Sequence, residues 1–347
     1  MQLTKKISAL ALAVVMALSA VGCGSSASSA PSSANAAISS SEAASAASAE
    51  KATVKVGMLK GPTGLGMVKL MQDANAKETA ENYKFTVDTQ PNAAVAKLTS
   101  GEVDIAALPT NLAATLYQKT SGKVQMVAIN TLGVLSIVTN GEKVSAIRDL
   151  KGKTIYSSGK GAVPEYVLNY ILKQNGLVPG KDVKVVYVSE HAETVTKLLS
   201  GQAKIVVLPE PFVTQALAKC KTAKLALNLT DEWNKAAKGG SVLSMGCLAV
   251  RKAFAEQHKD TLNKFLQGYQ ESTKYANANA VQTGKLAEKY LGMPASVAAK
   301  TIPNCSITYM DGKEMKEKIQ PFFEILFQQN PKSVGGKLPD DGFYYKK

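Results

Sequence analysis

The side chains with most to offer chemically are few. His191 stands between Glu190 and Glu193, and Glu210 opens a Glu-Pro-Phe run further on. A histidine flanked by carboxylates is raw material for general acid–base chemistry or for a metal site. The pattern goes no further. The second histidine, His258, lies in a polar stretch near Glu256 and Lys259, and no cysteine joins His191 at a ligand spacing. A serine elbow with acid and base partners is also missing from the chain. The residues therefore point to binding, with no catalytic residue, no metal and no cofactor, and His191 reads as a polar side chain in a cleft or at its rim. Glu210 either meets a ligand that carries an amine or hydroxyl donor or caps the helix that Pro211 opens.

Arginine supply narrows the ligand. The chain has only Arg148 and Arg251, both in polar, surface-like stretches. Planar bidentate clamps on carboxylates and phosphates usually need arginine. A ligand is then uncharged, or is held by helix N-termini and Lys160. Two glycine-rich turns fit the second option, Gly61-Pro62-Thr63-Gly64-Leu65-Gly66 and Ser157-Ser158-Gly159-Lys160-Gly161-Ala162. Glycine lets backbone approach a ligand closely, and the first N–H groups of the following helix carry partial positive charge. Neither turn matches a phosphate loop or a dinucleotide fingerprint, and each reads equally as a tight turn with no ligand.

These residues sit in two copies of one pattern. The run KLTSGEVDIAALP at 97–109 returns as KLLSGQAKIVVLP at 197–209. Each copy is a helix end, a Ser-Gly stop, a short buried strand and a strand-breaking proline. Another strand precedes each, at 85–89 and 183–189. Further upstream come the strands at 54–58 and 153–156, followed by the glycine turns and by helices opening near Met67 and Pro164. Each half is thus strand, glycine turn, helix, strand, helix, strand, which calls for a mainly parallel sheet covered by helices. The fold class is α/β, with two similar Rossmann-like lobes facing each other. The apolar runs 124–130, 134–139 and 242–250 read as the places where the chain crosses between lobes. The tail from Phe254 has helical spacing and should return to complete the first lobe.

The ends and composition supply the setting. Lys5 and Lys6 precede an apolar run at 7–20, too short for a membrane span and suited to a secretion signal. Ala20-Val21-Gly22-Cys23 resembles a bacterial lipobox, in which Cys23 would be diacylated and become the first residue after cleavage. Two acyl chains hold where one is marginal, at ~0.8 kcal/mol per buried methylene. Residues 24–51 are almost wholly Ser and Ala and should form a disordered tether, with a span of about 26–31 Å. The net charge of +14 is nearly all lysine spread along the chain, without the basic blocks and interleaved aromatics of nucleic-acid binding. Cys220, Cys247 and Cys305 are odd in number and irregular in spacing, and read as free, mostly buried thiols. Trp233 either stacks on a ligand or seals a core edge.

The order of elements, the lipobox and three local features complete a resemblance. These features are Asp149-Leu150-Lys151-Gly152-Lys153, Ser200-Gly201 and Glu210-Pro211-Phe212. From about residue 52 to the end the chain resembles the substrate-binding proteins of nitrate/taurine/alkanesulfonate-type ABC transporters, a group that includes carriers of thiamin precursors. The resemblance implies the type II periplasmic-binding-protein fold, a small-molecule ligand, permease and ATPase partners, an outer-face location at the cell membrane and a monomer. Two-lobed enzymes of the same fold, deaminases or thiamin-pyrimidine synthases, are cytoplasmic and do not suit the signal. A ligand-sensing module remains a further alternative. Sulfonate, nitrate-like anion, pyrimidine and small amino compound all stay open as ligands.

Ligands of open parallel sheets bind beyond the carboxyl ends of the strands. That rule nominates Pro62, Thr63, Gly64, Leu65, Gln90, Asn92, Thr110 and Asn111 from the first lobe. From the second it nominates Gly159, Lys160, Gly161, Ala162, Ser189, Glu190, His191 and Glu210. The crossing strands add Asn130, Leu132, Ser244 and Met245. The expected lobes are 52–136 with 246–347, and 137–245.

Overall fold

The computed structural model describes residues 51–237 and 240–347. The signal segment, the lipobox with Cys23 and all but the last residue of the 24–51 tether lie outside the described residues.

Eleven strands are described. In chain order they are β1 (Thr53–Leu59), β2 (Asn82–Asp88), β3 (Ile105–Pro109), β4 (Val124–Leu132), β5 (Leu135–Asn140), β6 (Thr154–Ser157), β7 (Lys184–Tyr187), β8 (Ile205–Pro209), β9 (Ala223–Asn228), β10 (Ser244–Arg251) and β11 (Ile307–Met310). They form two sheets, in the orders β2-β1-β3-β10-β4-β11 and β7-β6-β8-β5-β9. β1 runs parallel to β2 and β3, and β6 parallel to β7 and β8. The strand runs are short and apolar because both faces are covered: every residue of β8 is buried, as are the first four of β3.

Both sheets depart from a parallel order at one equivalent place, and the first also at its edge, where β11 runs antiparallel to β4. β10 lies antiparallel between β3 and β4, and β5 antiparallel between β8 and β9. A strand arriving from the other half enters at the carboxyl ends of the parallel strands and must run against them. The expected changeover points, 136/137 and 245/246, therefore fall inside β5 and β10; the passage from sheet to sheet occurs at Gly133-Val134 and just before Ser244. Gly133 is required there. A Cβ on it would lie 2.1 Å from the Thr230 hydroxyl oxygen and 3.0 Å from a Leu243 methyl carbon, so the outgoing and returning chains meet with no room for a side chain.

The repeated Ser-Gly stops close the helices Pro91–Ser100 and His191–Leu199, where Gly101 and Gly201 take φ of 80° and 77°. The tail packs more widely than its spacing predicts. Helix Lys259–Ala278 packs with β11, which forms the edge of the first sheet. Helix Gly312–Gln329, however, touches both halves. Its Phe322 ring lies 5.4 Å from the ring of Trp233, and Gln329 donates to the Tyr166 carbonyl at 3.3 Å. Trp233 is a wholly buried core residue whose indole N–H donates to the Ser241 carbonyl. The three described cysteines are free; Cys247 and Cys305 are buried and Cys220 is half-buried. Among the described residues no helix is long and apolar enough to cross a membrane, and no cluster of metal-ligating side chains is present.

Candidate functional site

Both sheets end their parallel strands toward a common cleft. The loops after β1, β2 and β3 supply residues 59–63, Thr89, Pro91 and Pro109, while those after β6, β7 and β8 supply Gly159, residues 162–164, His191 and residues 209–212. Thr131 and Val134 enter from the outgoing crossing, and Met245 and Gly246 from the return. The enclosed space is about 160 Å³. It opens onto an outer chamber of about 410 Å³, which shares Lys60, Thr89, Gly159, His191 and Phe212 and adds Gln90, Ser158, Ser189, Glu190 and Met293.

The inner wall is largely apolar, and six of its residues are prolines: Pro62, Pro91, Pro109, Pro164, Pro209 and Pro211. Each lies where a strand ends or a helix begins. There its fixed φ suits the turn, and its missing N–H leaves no buried donor to satisfy. The result is a stiff wall that presents few hydrogen-bonding groups.

Lys60, Thr63, Thr89 and Thr131 bring polar side chains from the first sheet's half, and His191 and Glu210 from the second. Glu210 is only 6% exposed, and its Oε2 accepts the backbone N–H of Thr214 at 3.1 Å. It therefore caps helix Phe212–Lys219 while lining the cavity. Burial raises its carboxyl pKa, partly offset by the hydrogen bonds from Thr214. His191, the first residue of its helix, pairs Nδ1 with the Ser158 hydroxyl and packs its ring 5.2 Å from Phe212. Burial pushes its pKa down to about 4, which keeps the imidazole neutral at ordinary pH. Gln90 and Glu190, at matching positions of the two repeats, meet across the mouth, where the Gln90 amide donates to Glu190 Oε1 at 2.6 Å. Lys60, the one lysine or arginine on the cavity wall among the described residues, donates its ammonium to the Gly292 carbonyl at 3.2 Å.

Pro62, Thr63, Gly159, Ala162, His191, Glu210 and Met245 from the sequence reading thus line the inner cavity, with Gln90, Ser189 and Glu190 on the outer chamber. The others lie elsewhere. Gly64 and Leu65 are buried in the short helix behind Thr63. Thr110 shares a 2.9 Å hydrogen bond with Ser244, both wholly buried. Asn111 ties the halves together by donating to the carbonyls of Gly161 and Ser333, at 3.2 and 3.1 Å. Asn130 is buried behind the cavity floor, and Leu132 packs on the core. Lys160, Gly161 and Asn92 are exposed outside the cavity, so Lys160 is not placed to hold an anion there. Both arginines are also elsewhere: Arg251 pairs with Asp104, and Arg148 sits on the short helix Ile147–Leu150. Sequence reasoning missed the proline wall and Phe212, although Pro109 and Pro209 stood at matching places in the repeat.

A family model described as "ABC transporter, phosphonate, periplasmic substrate-binding protein" matches residues 71–287. The chain belongs to this family: it is an extracytoplasmic substrate-binding protein of the ABC-importer type, a class with a small-molecule ligand and with permease and ATPase partners. An ABC transporter protein from Parabacteroides distasonis is similar in structure, with 26% identity, a TM-score of 0.71 and coverage of 85% of this chain and 99% of that one. The periplasmic aliphatic sulphonate binding protein SsuA from Escherichia coli is 17% identical, with a TM-score of 0.68 over 85% of this chain and 92% of its own. The periplasmic nitrate-binding protein NrtA from Synechocystis is 15% identical, with a TM-score of 0.56 over 77% and 75%. These last two likenesses show the periplasmic-binding-protein fold. No curated protein sequence matches.

Proposed function

We propose that the cleft holds a small solute between two lobes and that the chain passes it, chemically unchanged, to an ABC permease. The first lobe takes residues 52–133 and 244–347 and the second 134–243, a few residues from the boundaries read in the sequence. Thr63, Met245 and the glycine-turn residue Pro62 serve from one lobe, and Gly159, Ala162, His191 and Glu210 from the other. Gln90 and Glu190 latch the mouth. The observation that carries the reading is the cavity itself, walled by the carboxyl-end loops of both sheets. A solute touching both lobes favours the closed arrangement, because only there does it make both sets of contacts.

The reading extends to the anchor. Removal of residues 1–22 leaves Cys23 at the N-terminus, acylated (palmitate is the natural label for such chains) and joined to the folded part by the Ser/Ala tether. The protein then works as a monomer held at the outer face of the cell membrane. Cys23→Ala should abolish labelling by radioactive palmitate and release the protein to the medium; continued labelling rules the anchor out. For binding, native mass spectrometry on the chain from Lys51, purified without denaturation, should detect a co-purifying small molecule that leaves on mild unfolding. A bare protein that gains no thermal stability from sulfonates, nitrate, amines or heterocycles contradicts the reading.

A further inference from the structure

Behind the cavity floor lies a polar side chain with no well-formed hydrogen bond. Asn130 is 0% exposed, yet neither its amide nitrogen nor its amide oxygen is hydrogen-bonded. The adjacent Thr131 hydroxyl, on the cavity wall, is also unpartnered; the hydroxyl of wholly buried Tyr269 lies within reach of the Asn130 side chain, a poorly aligned contact that serves at most one edge of the amide. Buried side-chain amides are nearly always satisfied, and an exception marks a place where water or a ligand belongs.

Strand pairing singles out the same spot. Ser244 faces Leu132, Gly246 faces Thr131 and Cys247 faces Ile129, so the ladder skips Met245 on β10 and Asn130 on β4. Such irregularities re-aim side chains beside binding sites. The cover over Asn130 is thin. A Cβ placed on Gly246 would lie 2.7 Å from the Asn130 amide oxygen and 2.9 Å from the Thr63 methyl carbon, and Gly246 and Thr63 both face the cavity.

We propose that Asn130 and Thr131 form the head-group pocket of the cleft and select an uncharged solute, one flat ring in size, that carries a hydrogen-bond donor beside an acceptor. This rests on the receptor reading given above. The size follows from the inner cavity of about 160 Å³, since an apolar cavity of about 150 Å³ holds benzene. The proline wall and Phe212 suit the faces of a ring. An amide offers one donor edge and one acceptor edge, which match a lactam or carboxamide; an oxoanion could take the N–H₂ but would leave the amide oxygen with no donor to accept from. Charge argues the same way: Glu210 brings no positive charge, burial keeps His191 neutral, and the Lys60 ammonium is turned to a carbonyl at the mouth.

The test is calorimetric titration with nicotinamide and 2-pyridone against ethanesulfonate, methylphosphonate and nitrate, on the chain from Lys51 stripped of bound solute. Binding of the uncharged probes is expected, with the oxoanions silent. Asn130→Leu keeps the shape and removes the unpartnered amide. It should leave the melting temperature unchanged or raised while weakening binding about 10–100-fold; Thr131→Val, the milder change, should weaken it less at an unaltered melting temperature. Unchanged affinity in Asn130→Leu means that the amide serves only ordered water, and overturns the proposal. Binding of the oxoanions alone, or of neither group, also overturns it. A co-purified solute in native mass spectrometry would then show that the receptor reading survives, and a bare protein that it falls as well.

Discussion

The two halves of the cleft are built alike and furnished differently. At matching positions the first half carries Gln90 and Thr110 where the second carries Glu190 and Glu210. Thr110 is turned inward to Ser244, whereas Glu210 caps its helix and faces the cavity. Position 191 is a histidine and its counterpart, Pro91, is part of the inert wall. The repeated elements thus set where the loops converge, and divergence at a handful of loop positions decides what they present. The two halves share the stiff proline wall, three prolines from each; the first adds a covered amide beneath it, and the second a carboxyl and an imidazole. An asymmetric cleft of this kind can orient a ligand that has a polar end, which two identical halves could not do.

The largest expected effect tests whether the halves are separate bodies at all. Trp233 of the second half packs on Phe322 of the tail helix, so Trp233→Ala should cost about 3–5 kcal/mol and lower one shared unfolding transition in urea. Two transitions, with the first half unmoved, would mean that the tail does not couple them. Next comes the matched pair at 110 and 210. Glu210→Ala should weaken binding of the co-purified solute about tenfold or more, the loss expected when a buried polar contact is removed. Thr110→Ala should lower stability by about 1 kcal/mol and leave affinity alone. Equal effects on affinity would erase the asymmetry.

A smaller effect concerns pH. His191 is held at about 4 by burial, below its ordinary 6.5. Between those values the unfolded chain takes up a proton that the folded chain refuses, so stability falls as pH drops through that window. His191→Gln removes this dependence. The melting temperature of the unaltered chain should therefore decline relative to the variant between pH 6.5 and 4, with the opposing contribution of Glu210 common to both; a constant difference would place His191 in water. The smallest effect is at the mouth. Gln90→Glu sets two carboxylates face to face and should weaken ligand binding by about two- to fivefold, in keeping with an exposed pair. Adding Glu190→Gln restores a donor and an acceptor and should recover the loss.

Much of this architecture was legible in the chain because the repeat keeps its spacing. The strands near 105 and 205, the glycine stops and the helices after them follow from apolar runs bounded by Gly and Pro. The antiparallel insertion of β5 and β10 was not legible. An apolar run carries no direction, and only the path between sheets supplies one. Loop residues such as Pro62, His191 and Glu210 could be brought together by the rule that ligands sit beyond strand ends. That rule cannot tell which of several neighbours faces the cavity, so it named Gly64 and Leu65, which the short helix turns inward, and passed over Phe212. Asn130 was named from its place on a crossing strand. That its amide lacks a partner depends on a break in strand register, which no local pattern announces.

The central claim is that one solute is gripped by both halves at once, and a crystal structure of the natively purified chain tests it most directly. The account predicts a small molecule in the inner cavity, in contact with Glu210 or His191 on one side and with Thr63, Thr131 or Met245 on the other. A solute seated elsewhere on the molecule, or touching one half alone, would contradict it.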